Sequence, residues 1–148
     1  MKDTMNILFC GVGGQGILLA SEITSDALIE TGLDVKKSEV HGMAQRGGAV
    51  EAHLRLGERV YSPLIEPGGA DVLVSFEMME ALRYMPYLNS NTKVILNTQR
   101  IYPLSVATGL ENYPEDCIER LRSLGLEVFP VDALSIAREI GEVRVVNI

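Results

Sequence analysis

Short apolar runs alternate along this chain with stretches in which apolar residues return every three or four positions. Residues 5–10 (Met-Asn-Ile-Leu-Phe-Cys) are nearly all apolar and stop at a glycine, the pattern of a central strand buried on both faces. Ile17, Leu18, Ala20, Ile23, Ala27 and Leu28 then follow helical spacing, and Gly32 supplies the stop. Residues 34–40 predict a second, more polar strand with Lys36, Lys37 and Glu39. Residues 41–48 (His-Gly-Met-Ala-Gln-Arg-Gly-Gly) have no period and read as a loop. Val50, Ala52, Leu54 and Leu56 alternate with Glu51, His53 and Arg55, a strand with one face buried. Gly57-Glu58 then turns into Arg59-Val60-Tyr61, which predicts an antiparallel hairpin.

The second half repeats the alternation. Residues 71–76 predict a buried strand, and 77–87 a helix with Met78, Leu82 and Met85 inward. Residues 93–97 predict a strand, and 99–112, with Pro103 and Gly109, an irregular stretch. Pro114, Glu115 and Asp116 suit the first turn of a helix whose stripe is Cys117, Ile118, Leu121 and Leu124 and whose stop is Gly125. Residues 126–131 predict a strand, Asp132 a cap for a helix over 133–140, and 143–148 a last strand. The expected fold is therefore α/β: a doubly wound, mostly parallel, Rossmann-like sheet with an antiparallel hairpin inserted, as a single domain over residues 1–148. Ile148 closes an apolar strand with no polar tail, so a C-terminal truncation, or a chain end inside the sheet, is expected.

Composition narrows the function. A hydrophobic fraction of 47% with 22% charged residues is ordinary for a globular chain of 148 residues. The net charge of −7, from 20 acidic and 13 basic residues, argues against a nucleic-acid binder. Two distant cysteines, Cys10 and Cys117, support neither a disulfide framework nor a metal or iron–sulfur site built by this chain alone. No signal peptide and no membrane-length apolar run is visible, which sets the cytoplasm as the expected location.

Candidate chemistry gathers in two segments. Gly11 to Gly16 satisfies G-x-G-x-x-G between a strand and a helix. Such a turn needs glycine for a positive φ, for close approach of a ligand and for tight helix packing. Three readings stand: a dinucleotide site with Glu39 as the ribose acid, a tight turn only, or an anion or partner surface. The loop over 41–48 should lie at the same sheet edge and offers His41, Gln45 and Arg46. Arg46 could grip a phosphate or carboxylate, or the loop could dock a subunit. No carboxylate partner for His41 can be named from sequence, and His53 is expected to be solvated or at an interface. Cys10 and Cys117 read as core residues rather than nucleophiles, and Met78, Met79 and Met85 as packing.

These segments, together with residues 38–48, 61–65 and 70–77, resemble one family, the gamma-type subunit or domain of the 2-oxoacid:ferredoxin oxidoreductases. The His-Gly-Met-Ala-Gln-Arg-Gly-Gly form is most similar to the indolepyruvate:ferredoxin oxidoreductase beta-subunit branch, and the resemblance covers residues 6–148. It implies a subunit of an enzyme that decarboxylates a 2-oxoacid oxidatively to an acyl-CoA and passes electrons to ferredoxin. It further implies that thiamine diphosphate, magnesium, iron–sulfur clusters and coenzyme A come by way of a large alpha-type partner, this chain helping to shape or cover the coenzyme A region. Family members continue with helical sequence beyond the position of Ile148. On this reading Gly11, Gly13, Gly14, Gln15, Gly16, His41, Gln45, Arg46, Gly47 and Gly48 face cofactor or partner, and no residue here is catalytic. Two alternatives remain: a stand-alone NAD(P)-binding oxidoreductase, and a non-catalytic anion or coenzyme A module. An isolated subunit could also pair with itself through its exposed partner face.

Overall fold

The structure, a computed structural model, describes residues 4–41 and 47–148. Six strands form one sheet: β1 (Thr4–Val12), β2 (Asp34–His41), β3 (Ala49–Gly57), β4 (Val72–Ser75), β5 (Lys93–Asn97) and β6 (Glu127–Val131). Their order is β2-β3-β1-β4-β5-β6. The strands from β1 to β6 by way of β4 and β5 run parallel, whereas β3 pairs antiparallel with both β1 and β2. The helices are α1 (Ile17–Ile29), α2 (Met78–Arg83), α3 (Leu104–Ala107), α4 (Cys117–Ser123) and α5 (Ala133–Ile140).

Alternation along β1 divides the core. Leu8 and Cys10 join Leu73, Val94, Leu96 and Val128 on the face covered by α2 and α4. Phe9 joins Ile17, Val50, Ala52 and Leu54 on the face covered by α1. Helices on both faces of a mixed, mostly parallel sheet give the expected α/β fold. Burying Leu8, Leu54, Leu73 and Leu96 completely contributes about 2 kcal/mol each.

Several expectations need correction. The antiparallel hairpin partners are β2 and β3, and not 50–56 with 59–61. Residues 58–71 instead form a strap across the face of β1 and β3 opposite α1. Arg55 holds it, donating from Nη1 to the carbonyls of Ser62 (3.0 Å) and Leu64 (3.3 Å). Asn6 Nδ2 donates to the carbonyl of Gly69 at 2.8 Å.

Residues 143–148 are not a strand; Val143–Val145 is a 3₁₀ turn. Of the sheet's two edge strands, β6 carries Pro130, which offers no N–H to a seventh strand. Gly141, at φ 89°, instead swings the chain back toward the glycine turn. The helix expected over 77–87 ends at Arg83 and resumes as a 3₁₀ turn at Met85–Tyr87, because Pro86 cannot continue an α-helix. Residues 104–107, expected to be irregular, form α3. Pro114 to Asp116 precede α4 rather than forming its first turn, and Leu124 is exposed. On α1 the buried stripe is Ile17, Ser21 and Ser25, while Ile23 faces outward.

Candidate functional site: the glycine turn at the carboxyl edge

The glycine turn closes β1 and starts α1 at the carboxyl edge of the parallel strands, where ligands of open α/β sheets gather. Each glycine has a different reason. Gly11 has an ordinary φ, but a Cβ there would lie 2.8 Å from Gln15 Oε1 and 2.9 Å from Phe76 Cβ. Gly14 (φ 102°) and Gly16 (φ 81°) occupy the left-handed region that side chains avoid. Gly13 continues the β1–β3 ladder: its N–H donates to the Gly48 carbonyl at 2.8 Å, and Gly47 N–H donates to its carbonyl at 3.4 Å.

Gln15 locks the turn to its neighbours. Its Oε1 accepts from Val12 N–H at 2.8 Å. Its Nε2 donates to the Phe76 carbonyl at 2.7 Å and to Gln99 Oε1 at 3.1 Å. One side chain thereby joins the ends of β1 and β4 to the segment after β5. Gln15 therefore acts as a positioning residue. The start of α1 has no side-chain cap and no acidic residue in its first turn. Next to the turn that leads into α1 lies a hollow of about 520 Å³ walled by Gly13–Gly16, Gln99, Arg144 and Asn147.

The turn and Gly47–Gly48 are thus brought together, as expected from sequence. Gln45 and Arg46 lie outside the described residues, and of His41 only the backbone is described, paired with Val50. Gly47, Gly48 and Val12 also border a second hollow of about 480 Å³, which carries Glu80 and Arg83 on its α2 side.

The sheet order contradicts the dinucleotide reading. Glu39 lies on β2, and β3 stands between β2 and β1. At about 4.8 Å per strand step, the ribose acid would be a whole strand too far from the glycine turn. Glu39 instead pairs with Lys37 at 2.8 Å.

The β4–α2 junction beside the turn was missed in the sequence. Glu77 is fully buried. Its Oε2 accepts from Glu80 N–H at 2.9 Å, and its Oε1 from Ile101 N–H at 3.1 Å and from the Tyr113 hydroxyl. The Tyr113 oxygen in turn accepts from Met79 N–H at 3.0 Å, and burial together with the Glu77 carboxylate holds its proton on. Glu80, also buried, accepts from Arg83 Nε at 3.0 Å; burial raises its carboxyl above the ordinary range and Arg83 partly offsets that. The available signal was an acid directly after a buried strand and at the head of a helix, in cap position.

Cys10 and Cys117 are both completely buried. Cys10 donates to Ser75 Oγ at 3.3 Å and Cys117 to the Pro114 carbonyl at 3.2 Å, and burial pushes both thiols up. Neither is a thiolate nucleophile, and two such thiols cannot supply the four ligands of an iron–sulfur cluster. His53 is also buried rather than solvated. Its Nδ1 accepts from Ile65 N–H at 3.1 Å and its Nε2 faces Glu51 Oε1 at 3.2 Å, so the ring pins the strap. Among the described residues, no helix is long and apolar enough to cross a membrane.

With this geometry in view, residues 6–148 match the family model described as pyruvate ferredoxin/flavodoxin oxidoreductase. The chain belongs to this family. It is 50% identical over 146 residues to indolepyruvate oxidoreductase subunit IorB of Archaeoglobus fulgidus, a match covering 97% of this chain and 72% of that protein. It is 41% identical over 153 residues to the IorB subunit of Pyrococcus horikoshii, covering 100% and 74%. A more distant relative is the common gamma subunit of the pyruvate/ketoisovalerate oxidoreductases of Pyrococcus furiosus, 28% identical over 148 residues, covering 97% and 72%.

Among solved structures, the fold superposes on 2-oxoglutarate:ferredoxin oxidoreductase from Magnetococcus marinus with a TM-score of 0.73 at 19% identity, covering 99% of this chain and 23% of that one. It superposes on pyruvate oxidoreductase subunit PORC from Thermotoga maritima with a TM-score of 0.69 at 22% identity, covering 95% and 69%. At these identities the structural likeness carries the fold alone.

Proposed function

We propose that this chain is the small, IorB-type subunit of an indolepyruvate or related arylpyruvate:ferredoxin oxidoreductase. The observation that carries this reading is the 50% identity to an IorB subunit across 97% of the chain. The holoenzyme would convert a 2-oxoacid and coenzyme A to an acyl-CoA and carbon dioxide, with two electrons passing to ferredoxin. Thiamine diphosphate with magnesium would supply the decarboxylation chemistry on a large alpha-type subunit, which would also carry the iron–sulfur clusters.

This chain's residues then bind and position. Gly11, Gly13, Gly14 and Gly16 shape the carboxyl edge, and Gln15 fixes it. The unbonded amides at the head of α1 suit an anionic group of a cofactor or of the partner. Gly47 and Gly48 lie beside it, and His41, Gln45 and Arg46 are assigned with them to the set that faces cofactor or partner. Coenzyme A, with its phosphates, fits that chemistry where the two subunits meet. Among the described residues at the edge, no side chain pairs a nucleophile with a base, and we assign the carbon chemistry to the partner.

Co-expression with a tagged large thiamine- and cluster-binding subunit tests the reading. The expected result is a complex of fixed stoichiometry that survives gel filtration. Elution of this chain apart from every such subunit would count against it.

A further inference from the structure

The second hollow at the carboxyl edge carries a charged pair whose hydrogen bonding is incomplete. Arg83 ends α2, and Glu80 Oε2 accepts from its Nε at 3.0 Å. The two Nη groups have no partner among the described residues, so the rest of the guanidinium fork stays open on a side chain that is 57% exposed. Glu80 is the opposite case, with a side chain only 4% exposed. Its Oε2 is bonded, but its Oε1 accepts nothing from the described residues. No buried side-chain oxygen among those residues lacks a partner, so Oε1 keeps contact with the open space that Glu80 lines. A charged Glu80 would oppose an anion here. Burial raises its carboxyl above the ordinary range, while Arg83 partly offsets this and Glu77 adds to it. With the proton on Oε1, Oε2 still accepts from Arg83, and Oε1 becomes a further donor beside the fork.

The other walls are largely apolar. Met79, Ile101, Tyr102 and Leu104 line the hollow together with Gly47 and Gly48. Tyr102 stands edge-on to Tyr113, with ring centroids 5.1 Å apart. Tyr113 is itself bonded to Met79 N–H and to Glu77, so one aromatic wall is backed by a fixed ring. A volume of about 480 Å³ falls within the roughly 300–1,000 Å³ of small-ligand sites. Donors without acceptors at one end and an aromatic, thioether-lined wall at the other define an amphiphilic ligand.

We propose that this hollow binds a small aromatic carboxylate, its carboxylate on the Arg83 fork and Glu80 and its ring against Tyr102, Met79 and Leu104. Two-pronged pairing is what a guanidinium offers a carboxylate. A flat ring suits a wall of tyrosine and methionine. A bare anion would leave that wall unused, and a bare hydrocarbon would leave the fork unpaired. Glu80 is then a positioning residue for Arg83 as well as a donor to the ligand.

Calorimetric titration of the full chain with indole-3-acetate tests this. Saturable one-to-one binding in the submillimolar range is expected. Indole-3-ethanol keeps the ring without the charge, and acetate keeps the charge without the ring; each should bind about tenfold more weakly or worse. Arg83→Gln should weaken indole-3-acetate binding by about tenfold, and Tyr102→Ala by about threefold. Both side chains are more than half exposed, so both variants should keep the wild-type circular dichroism. Glu80→Gln still accepts from Arg83 Nε and still donates, and should bind within about twofold of wild type. Tyr61→Ala, on the strap, should bind as wild type. Absence of saturable binding to the wild-type chain overturns the proposal, and so does binding that Arg83→Gln leaves unchanged. Equal affinity for indole-3-ethanol would make the hollow merely apolar, and equal affinity for acetate would make it a plain anion site; either result also overturns it. Failure here leaves the assignment as an oxidoreductase subunit standing, because no partner subunit and no turnover enter the readout.

Discussion

Two strand-to-helix junctions lie side by side at the carboxyl edge, and they satisfy their helix ends in opposite ways. At β4–α2 the chain supplies its own acceptor: the Glu77 side chain accepts three hydrogen bonds and seals the helix start. At β1–α1 it supplies none, and the glycine turn borders a hollow instead. The first junction is finished within the chain and holds the fold. The second has no side-chain cap and no acidic residue in the first turn of its helix. Between them Gln15 fixes the spacing, with one end on Val12 and the other on Phe76 and Gln99.

The contrast can be broken most forcefully at the sealed junction. Glu77→Ala should cost about 3–5 kcal/mol, because it orphans buried donors and opens a cavity. Chemical denaturation would register this as a lower midpoint with an unchanged slope. Gly11→Ala comes next, at about 1–3 kcal/mol, since its Cβ meets Phe76 Cβ, which the backbone fixes; thermal unfolding measures it. Gln15→Ala should destabilise by about 1–2 kcal/mol, and should weaken association with the partner subunit more than its stability loss explains.

Gly14→Ala sharpens the comparison. Nothing stands within 4 Å of its Cβ, so only the left-handed backbone resists, at about 1–2 kcal/mol. The smallest effect concerns pH. Burial raises Glu80 above its ordinary value of 4.5, so the folded state takes up its proton first. The stability this contributes is present below that ordinary value and is lost as pH rises through the raised one. Glu80→Gln should flatten this dependence in denaturation midpoints measured across mildly acid to neutral pH.

The contrast also explains what could be read in advance. The strand at 5–10, the glycine turn and helix α1 were legible because their signals are local: an apolar run, fixed glycine spacing, helical periodicity. The sealed junction was not, because Glu77 looks like any first-turn acid until Tyr113 and Ile101 arrive from elsewhere in the chain. His53 was misread for the same reason. Its alternation with Val50 and Leu54 marks a polar face, yet the strap that buries it has no period of its own, and its partner is a backbone N–H at Ile65. Strand order was equally hidden. The alternation of β3 suits either arrangement, and only long-range pairing inserts β3 beside β1. That insertion removed Glu39 from the site and with it the dinucleotide reading.

The most direct test of the central claim is the rate of coenzyme A-dependent ferredoxin reduction by the large subunit, with indolepyruvate as substrate, measured with and without this chain. Reduction should depend on adding the wild-type chain and fall when Gln15→Ala is added instead. An equal rate in the absence of the chain would contradict it.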